Sequence, residues 1–136
     1  MAQMTKRIRE LFEKVPTAIF ATATTEGVPN AVPVGAKRVL NDSTILISDQ
    51  FFNKTLENLL ANPSVAVSFW EGHEGYQIKG TAAVETTGER FEETARWMEE
   101  RSSKAGFPLK SKGAVVIHID EIFGLAPGPG AGKKLA

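Results

Sequence analysis

The sequence predicts a mainly β protein, a barrel of six short antiparallel strands accompanied by a few helices. Two observations carry that expectation. Short runs rich in β-branched and aromatic residues recur between turn residues, and they do not alternate strictly with helices as a doubly wound sheet requires. With 136 residues, 42 % of them hydrophobic, the chain is near the modal length of one domain and can bury one core. A single domain is therefore expected over residues 1–126, followed by a Gly/Pro/Lys tail at 127–136.

Taken in order, Ile8, Leu11, Phe12 and Val15 make one apolar stripe at helical spacing, which Pro16 stops from continuing. "TAIFATAT" is the first strand and "TEGVPN" a turn. "AVPVGAKRVL" is a second strand, interrupted by Pro33 and Gly35, which predict a bulge or a sheet edge. "LNDS" turns into "TILISD", so the first three strands form a meander. Leu56, Leu59 and Leu60 predict a helical face that Asn62-Pro63 ends before the strand "SVAVSFW". "EGHEG" is a loop and "YQIKGTAAVE" a strand. Thr86 and Glu89 have capping-box spacing ahead of a helix carrying Phe91, Ala95 and Met98. "GAVVIHIDEIFGLA" is the last strand.

Composition narrows the function. Sixteen basic residues balance sixteen acidic ones, so net charge supplies no field to hold nucleic acid or an anionic membrane surface. Without cysteine there is no disulfide framework, thiolate metal site or cysteine nucleophile. No apolar run approaches the ~20 residues that span a bilayer, and the first residues lack a signal-peptide pattern, so a cytoplasmic protein is expected. Neither nucleic acid nor membrane is an expected partner.

Candidate sites remain. A helix start exposes unpaired N–H groups and the positive end of the macrodipole, and Asn53, Lys54 and Thr55 lie at one. They can cradle a phosphate, with Ser48 and Asp49 nearby at the end of the preceding strand; an ordinary solvated helix start fits the same residues. In "NAVPVGAKRV", proline and glycine leave backbone groups outside the ladder, where a flat ligand can approach; an edge strand with a bulge, its Lys37 and Arg38 solvated, fits as well. "PGPGAGKKLA" fails as a nucleoside-triphosphate loop, because Lys134 stands where Ser or Thr is required and no helix follows. It reads as a disordered tail or as one that folds over a ligand or a partner. His73 and His118 are too few for a metal site, and Glu71 and Glu74 beside His73 read as a polar loop rather than an acid/base pair.

From about Pro16 to Phe123 the chain resembles the pyridoxamine 5'-phosphate oxidase-like family of flavin-binding split barrels, in particular its small members. The resemblance rests on "NAVPVGAKRVLNDSTILISD", on "NKTLENLLANPSVAVSF" with its helix-Asn-Pro-strand join, on "YQIKGTAAVE" and on the last strand. It implies a six-stranded split barrel that dimerises, with FMN in each of two clefts between subunits. The implied phosphate site comprises Ser48, Asn53, Lys54 and Thr55, with Ile47 and Asp49 beside them as further cofactor-binding residues. Val32, Pro33, Val34 and Gly35 are implied to lie along the isoalloxazine, with Lys37 near the ribityl or phosphate. The implied activity is flavin-dependent oxidoreduction with a small-molecule electron donor or acceptor. The arginine-rich phosphate clamp and substrate-binding C-terminal motif of the oxidase proper are missing, which argues against pyridoxamine phosphate as substrate. A non-catalytic FMN-binding or electron-transfer protein is the alternative, and a haem- or deazaflavin-binding split barrel a third.

Overall fold

A computed structural model of the protein describes residues 2–136. The elements run α1 (Lys6–Lys14), β1 (Ala18–Ala23), β2 (Pro29–Val34), β3 (Lys37–Asn41), β4 (Thr44–Asp49), α2 (Lys54–Ala61), β5 (Ser64–Glu71), β6 (Glu74–Glu85), α3 (Glu89–Ala105) and β7 (Gly113–Gly124). The seven strands form one antiparallel sheet in the order β2-β1-β5-β6-β7-β4-β3.

That order corrects the expected closed six-stranded barrel. Gly35 and Ala36 divide the predicted second strand into β2 and β3, which become the two edges of the sheet, and among the described residues no ladder joins them. Yet β2 and β3 are separated by only two residues, whereas six flat interstrand spacings would span roughly 29 Å. The sheet must therefore curl until its edges approach, a split barrel open at the β2–β3 seam.

Alternation along the strands builds the interior. Ala18, Phe20 and Thr22 of β1 point inward, as do Val65, Val67 and Phe69 of β5. Phe12 of α1 meets Phe69 edge-on at 5.2 Å, so the first helix plugs the curl with Ile8, Leu11 and Phe12. The Thr5 side chain caps this helix by accepting from the Ile8 amide at 3.2 Å. All six residues of β4 are buried. Ile45 and Ile47 face the interior, while Leu46 joins Ala114 and Val116 beneath Trp97 of α3 on the outer face.

Other boundaries also differ from the expectation. The "EGHEG" loop contracts to the two-residue turn Gly72–His73, because both flanking glutamates continue the ladder as the pair Glu71–Glu74. Glu74 is held by Arg7 and by the Tyr76 hydroxyl, and Glu71 by Lys14, so both anchor the hairpin to α1. The third helix begins at Glu89 with Gly88 as its cap, and no Thr86 capping box forms. Leu60 of α2 is 71 % exposed; the buried face of that helix is Thr55, Asn58 and Leu59, shifted by one position from the expected leucine face. His118 is exposed. The tail doubles back on the end of β7, where the Gly124 amide donates to the Lys133 carbonyl at 2.9 Å and the Leu135 amide to that of Ile122 at 2.7 Å. Among the described residues no helix is long and apolar enough to cross a membrane.

Candidate functional site

The open seam and the start of α2 face one cavity of about 670 Å³, a volume in the range of small-molecule sites. One wall is Asn30, Val32, Pro33 and Val34 of β2, continued by Gly35 and Ala36. A Cβ at Gly35 would come within 3.2 Å of the Pro16 carbonyl, tighter than most real contacts, so a side chain there would disturb the seam. One flank is the loop from Gln50 to Asn53 with the first turn of α2. Across from it stand Arg101, Phe107 and Leu109 from the end of α3 and the segment beyond.

The structure brings together eight of the eleven residues expected from sequence: Val32, Pro33, Val34, Gly35, Ser48, Asn53, Lys54 and Thr55. It does not bring Ile47, Asp49 or Lys37 to the cavity wall. Ile47 points into the core. Asp49, 1 % exposed, accepts from the Phe52 amide at 2.9 Å and thereby shapes the loop. Lys37 is buried, its Nζ donating to the carbonyls of Phe12 and, at 2.6 Å, Val15. It closes the C-terminal end of α1, where unpaired carbonyls and the negative end of the macrodipole favour a cation. Burial pushes the Lys37 ammonium below its ordinary value; nearby Glu13 opposes that shift and Arg101 adds to it.

The start of α2 is arranged differently. Asn53 occupies the N-cap position, but its side chain caps nothing, and Asn53 and Lys54 are exposed. Beneath them lies a polar cluster joining β1, β2 and α2. Asn30 Nδ2 donates to Thr55 Oγ1 at 3.0 Å and, at 3.4 Å, to Thr22 Oγ1, which also accepts from Asn58 Nδ2 at 3.0 Å. Ser48, the other hydroxyl on the wall, donates to Ser111 Oγ at 2.7 Å, and Ser111 passes its own proton to the Gly113 carbonyl at 3.1 Å. The Ser48 proton is thus committed within the fold.

Sequence reasoning did not single out Asn30, Ala36, Gln50, Phe51, Phe52 or the three residues beyond β6. The loop residues adjoin Asp49 and Asn53, so extending that motif by three positions finds them. Arg101, Phe107 and Leu109 carry no local signal. They reach the cavity because β4 pairs with β7 and because the Lys112 amide donates to the Asp49 carbonyl at 2.7 Å. Arg101 is set against the Trp97 ring at 5.6 Å and donates to the Gly35 carbonyl at 3.3 Å. Gln50 Oε1 is buried and, among the described residues, has no hydrogen-bond partner; Gln50 lines the cavity.

Residues 4–126 match the family model described as pyridoxamine 5'-phosphate oxidase. The chain belongs to that family. An uncharacterised protein of Methanocaldococcus jannaschii is 45 % identical over 120 residues, which is 85 % of this chain and 77 % of that one. Among solved structures, Group A Streptococcus HupZ superposes with a TM-score of 0.81 at 27 % identity, covering 95 % of this chain and 99 % of that one. An FMN-binding protein of Syntrophomonas wolfei superposes at 0.74 and 19 % identity, over 87 % of this chain and 83 % of that one. The fold is shared with an F420 reductase and with a haem-storage protein of Vibrio cholerae, at 14 % and 18 % identity. Family membership therefore leaves the cofactor to be argued from the residues.

Proposed function

We propose that the cavity holds FMN and that the protein is a flavin-dependent oxidoreductase acting on a small substrate in the cytoplasm. The observation that carries this reading is the union, in one cavity, of the uncapped start of α2 with an apolar stretch of wall formed by Val32, Pro33, Val34 and Gly35. The first suits a phosphate, through Lys54, Thr55 and the free amides of the first turn; the second suits the face of a fused ring. The unpaired Gln50 Oε1 fits the ring N–H of an isoalloxazine. Haem fits less well, because neither His73 nor His118 lines the cavity to offer an imidazole. A deazaflavin shares the ring N–H and is separated from FMN by its spectrum.

Bound flavin would supply the redox chemistry, while the chain binds, orients and shields it. Phe51 and Phe107, on the cavity's margin, are 79 % and 57 % exposed, an apolar rim that a second copy would cover. We therefore read the functional form as a homodimer with FMN between subunits.

The test is to titrate the full-length chain with FMN, riboflavin, a deazaflavin and haem, following absorption and the mass by light scattering. Tighter binding of FMN than of the others, by a dimer, supports the reading. Preference for haem or deazaflavin, or FMN bound by a persistent monomer, overturns the cofactor or the shared-cleft part respectively. Anaerobic bleaching of the bound flavin by a nicotinamide cofactor supports an enzyme. A flavin reduced only by another redox protein supports the electron-transfer alternative.

A further inference from the structure

Two hydroxyls line the cavity near the start of α2, and the fold treats them oppositely. Ser48 gives its proton to Ser111. Thr55 is 2 % exposed, and its Oγ1 is engaged as an acceptor, by Asn30 Nδ2 at 3.0 Å. Among the described residues no acceptor takes the Thr55 proton. A hydroxyl that accepts from an amide within the fold keeps its proton for something else, and Thr55 faces the cavity.

The Asn30 amide is placed as the donor to two hydroxyls. Its nitrogen sits between two threonine oxygens, Thr55 at 3.0 Å and Thr22 at 3.4 Å, and Thr22 is held in turn by Asn58 Nδ2 at 3.0 Å. Asn58 lies three residues after Thr55 on the same buried face of α2, so the cluster ties both ends of the chain of contacts to one helix. Thr22, Thr55 and Asn58 are buried and Asn30 is half-buried, and burying such polar side chains is costly unless they are paired as they are here.

We propose that Asn30 is a positioning residue of the anion site: by donating to Thr55 it turns the threonine proton into the cavity as a hydrogen-bond donor for a phosphate monoester. The proposal rests on the FMN reading and deepens it, because it assigns recognition of the phosphate, as distinct from the ring, to a cluster spanning β1, β2 and α2. Inverting the polarity of residue 30 should then disable Thr55 without touching it. An aspartate at that position would accept the Thr55 proton and direct it away from the ligand.

The experiment compares FMN with riboflavin, which has the same ring and ribityl chain but no phosphate, by fluorescence titration of the full-length chain. In the Asn30→Ala and Asn30→Asp variants the ratio of FMN to riboflavin affinity should fall by about fivefold or more, with riboflavin affinity moved by less than about twofold. Thr55→Val should lower the ratio similarly and Thr55→Ser should retain it. In the Thr55→Val background, Asn30→Ala should lower the ratio no further. Equal weakening of both ligands by the Asn30 variants, or full additivity with Thr55→Val, overturns the positioning role. If Asn30→Ala does not fold, Asn30→Asp is read against the same substitution in the Thr55→Val background: an equal fall in the ratio there is repulsion by its own charge and overturns the positioning role, and a smaller one supports it. A wild-type chain that binds riboflavin as tightly as FMN overturns the phosphate reading itself, and this inference with it.

Discussion

Two helix ends lie close to the seam of the barrel, and the fold finishes one and leaves the other unfinished. At the C-terminus of α1 the buried ammonium of Lys37 donates to two carbonyls. At the N-terminus of α2 the cap residue Asn53 makes no side-chain capping bond, and Lys54, the first residue of the helix, is exposed. Both ends raise the same electrostatic problem with opposite signs. A helix end that is satisfied internally is structural, whereas one left open beside a cavity, with a lysine on the wrong end of the dipole for stability, is where the proposed reading puts an anion from outside the chain.

The comparison is tested most strongly at Lys54. Lys54→Ala removes a charge-assisted contact worth about 1.5–3 kcal/mol, so FMN affinity should fall about tenfold or more. Riboflavin affinity and the unfolding midpoint should stay near wild type, since the side chain is exposed and, among the described residues, makes no hydrogen bond or ion pair. FMN affinity unchanged in a titration would place the phosphate elsewhere.

Lys37 should give the opposite pattern. Lys37→Met keeps the aliphatic stem over the Phe12 ring, which the ammonium approaches at 5.0 Å, but leaves two helix-end carbonyls without their donor. A loss of about 1–3 kcal/mol in denaturant unfolding is expected, with the FMN-to-riboflavin ratio unmoved. A fall in that ratio with stability intact would return Lys37 to the cofactor.

Lys37 also makes a statement about pH. Its folded value is lowered from 10.5, chiefly by burial, so between that folded value and 10.5 the unfolded chain binds more protons than the folded one. Over that interval stability gains from this group as pH rises, and below it the penalty for charging the buried ammonium is fully present. In a series of denaturation curves run toward pH 10.5, wild type should therefore lose less stability, or gain more, than Lys37→Met at each step. Parallel curves would mean that the lysine is not desolvated.

The same contrast shows what was legible in the sequence and what was not. Local chemistry was: the apolar stripe of α1, the break at Gly35, and the helix start at Asn53–Thr55 each follow from a few neighbouring residues. "AKRV" gave no sign that Lys37 turns inward, because its partners are carbonyls 22 and 25 positions earlier. Arg101 and Phe107 were hidden for the same reason, since only the β4–β7 pairing carries their segment to the cavity. The buried face of α2 was misjudged by one position, because leucines dominate hydrophobic periodicity, while Thr55 and Asn58 turn inward only through partners on β1 and β2.

The smallest expected effect comes from closing the open helix end by mutation. Asn53→Asp places a carboxylate at the positive end of α2, where the dipole favours it by about 0.3–1 kcal/mol at an exposed site. The ligand-free protein should therefore unfold at a slightly higher temperature. The same carboxylate would compete with a phosphate for the amides of the first turn and for Lys54, and it repels a second anion. FMN affinity should fall several-fold while riboflavin affinity holds, and added salt should narrow the difference because both charges are solvent-screened. Opposite movement of stability and phosphate affinity is the signature of an end kept open for an anion. If the variant gained stability and bound FMN as tightly as before, the open end of α2 would be only a weak cap and the contrast with α1 would lose its functional meaning.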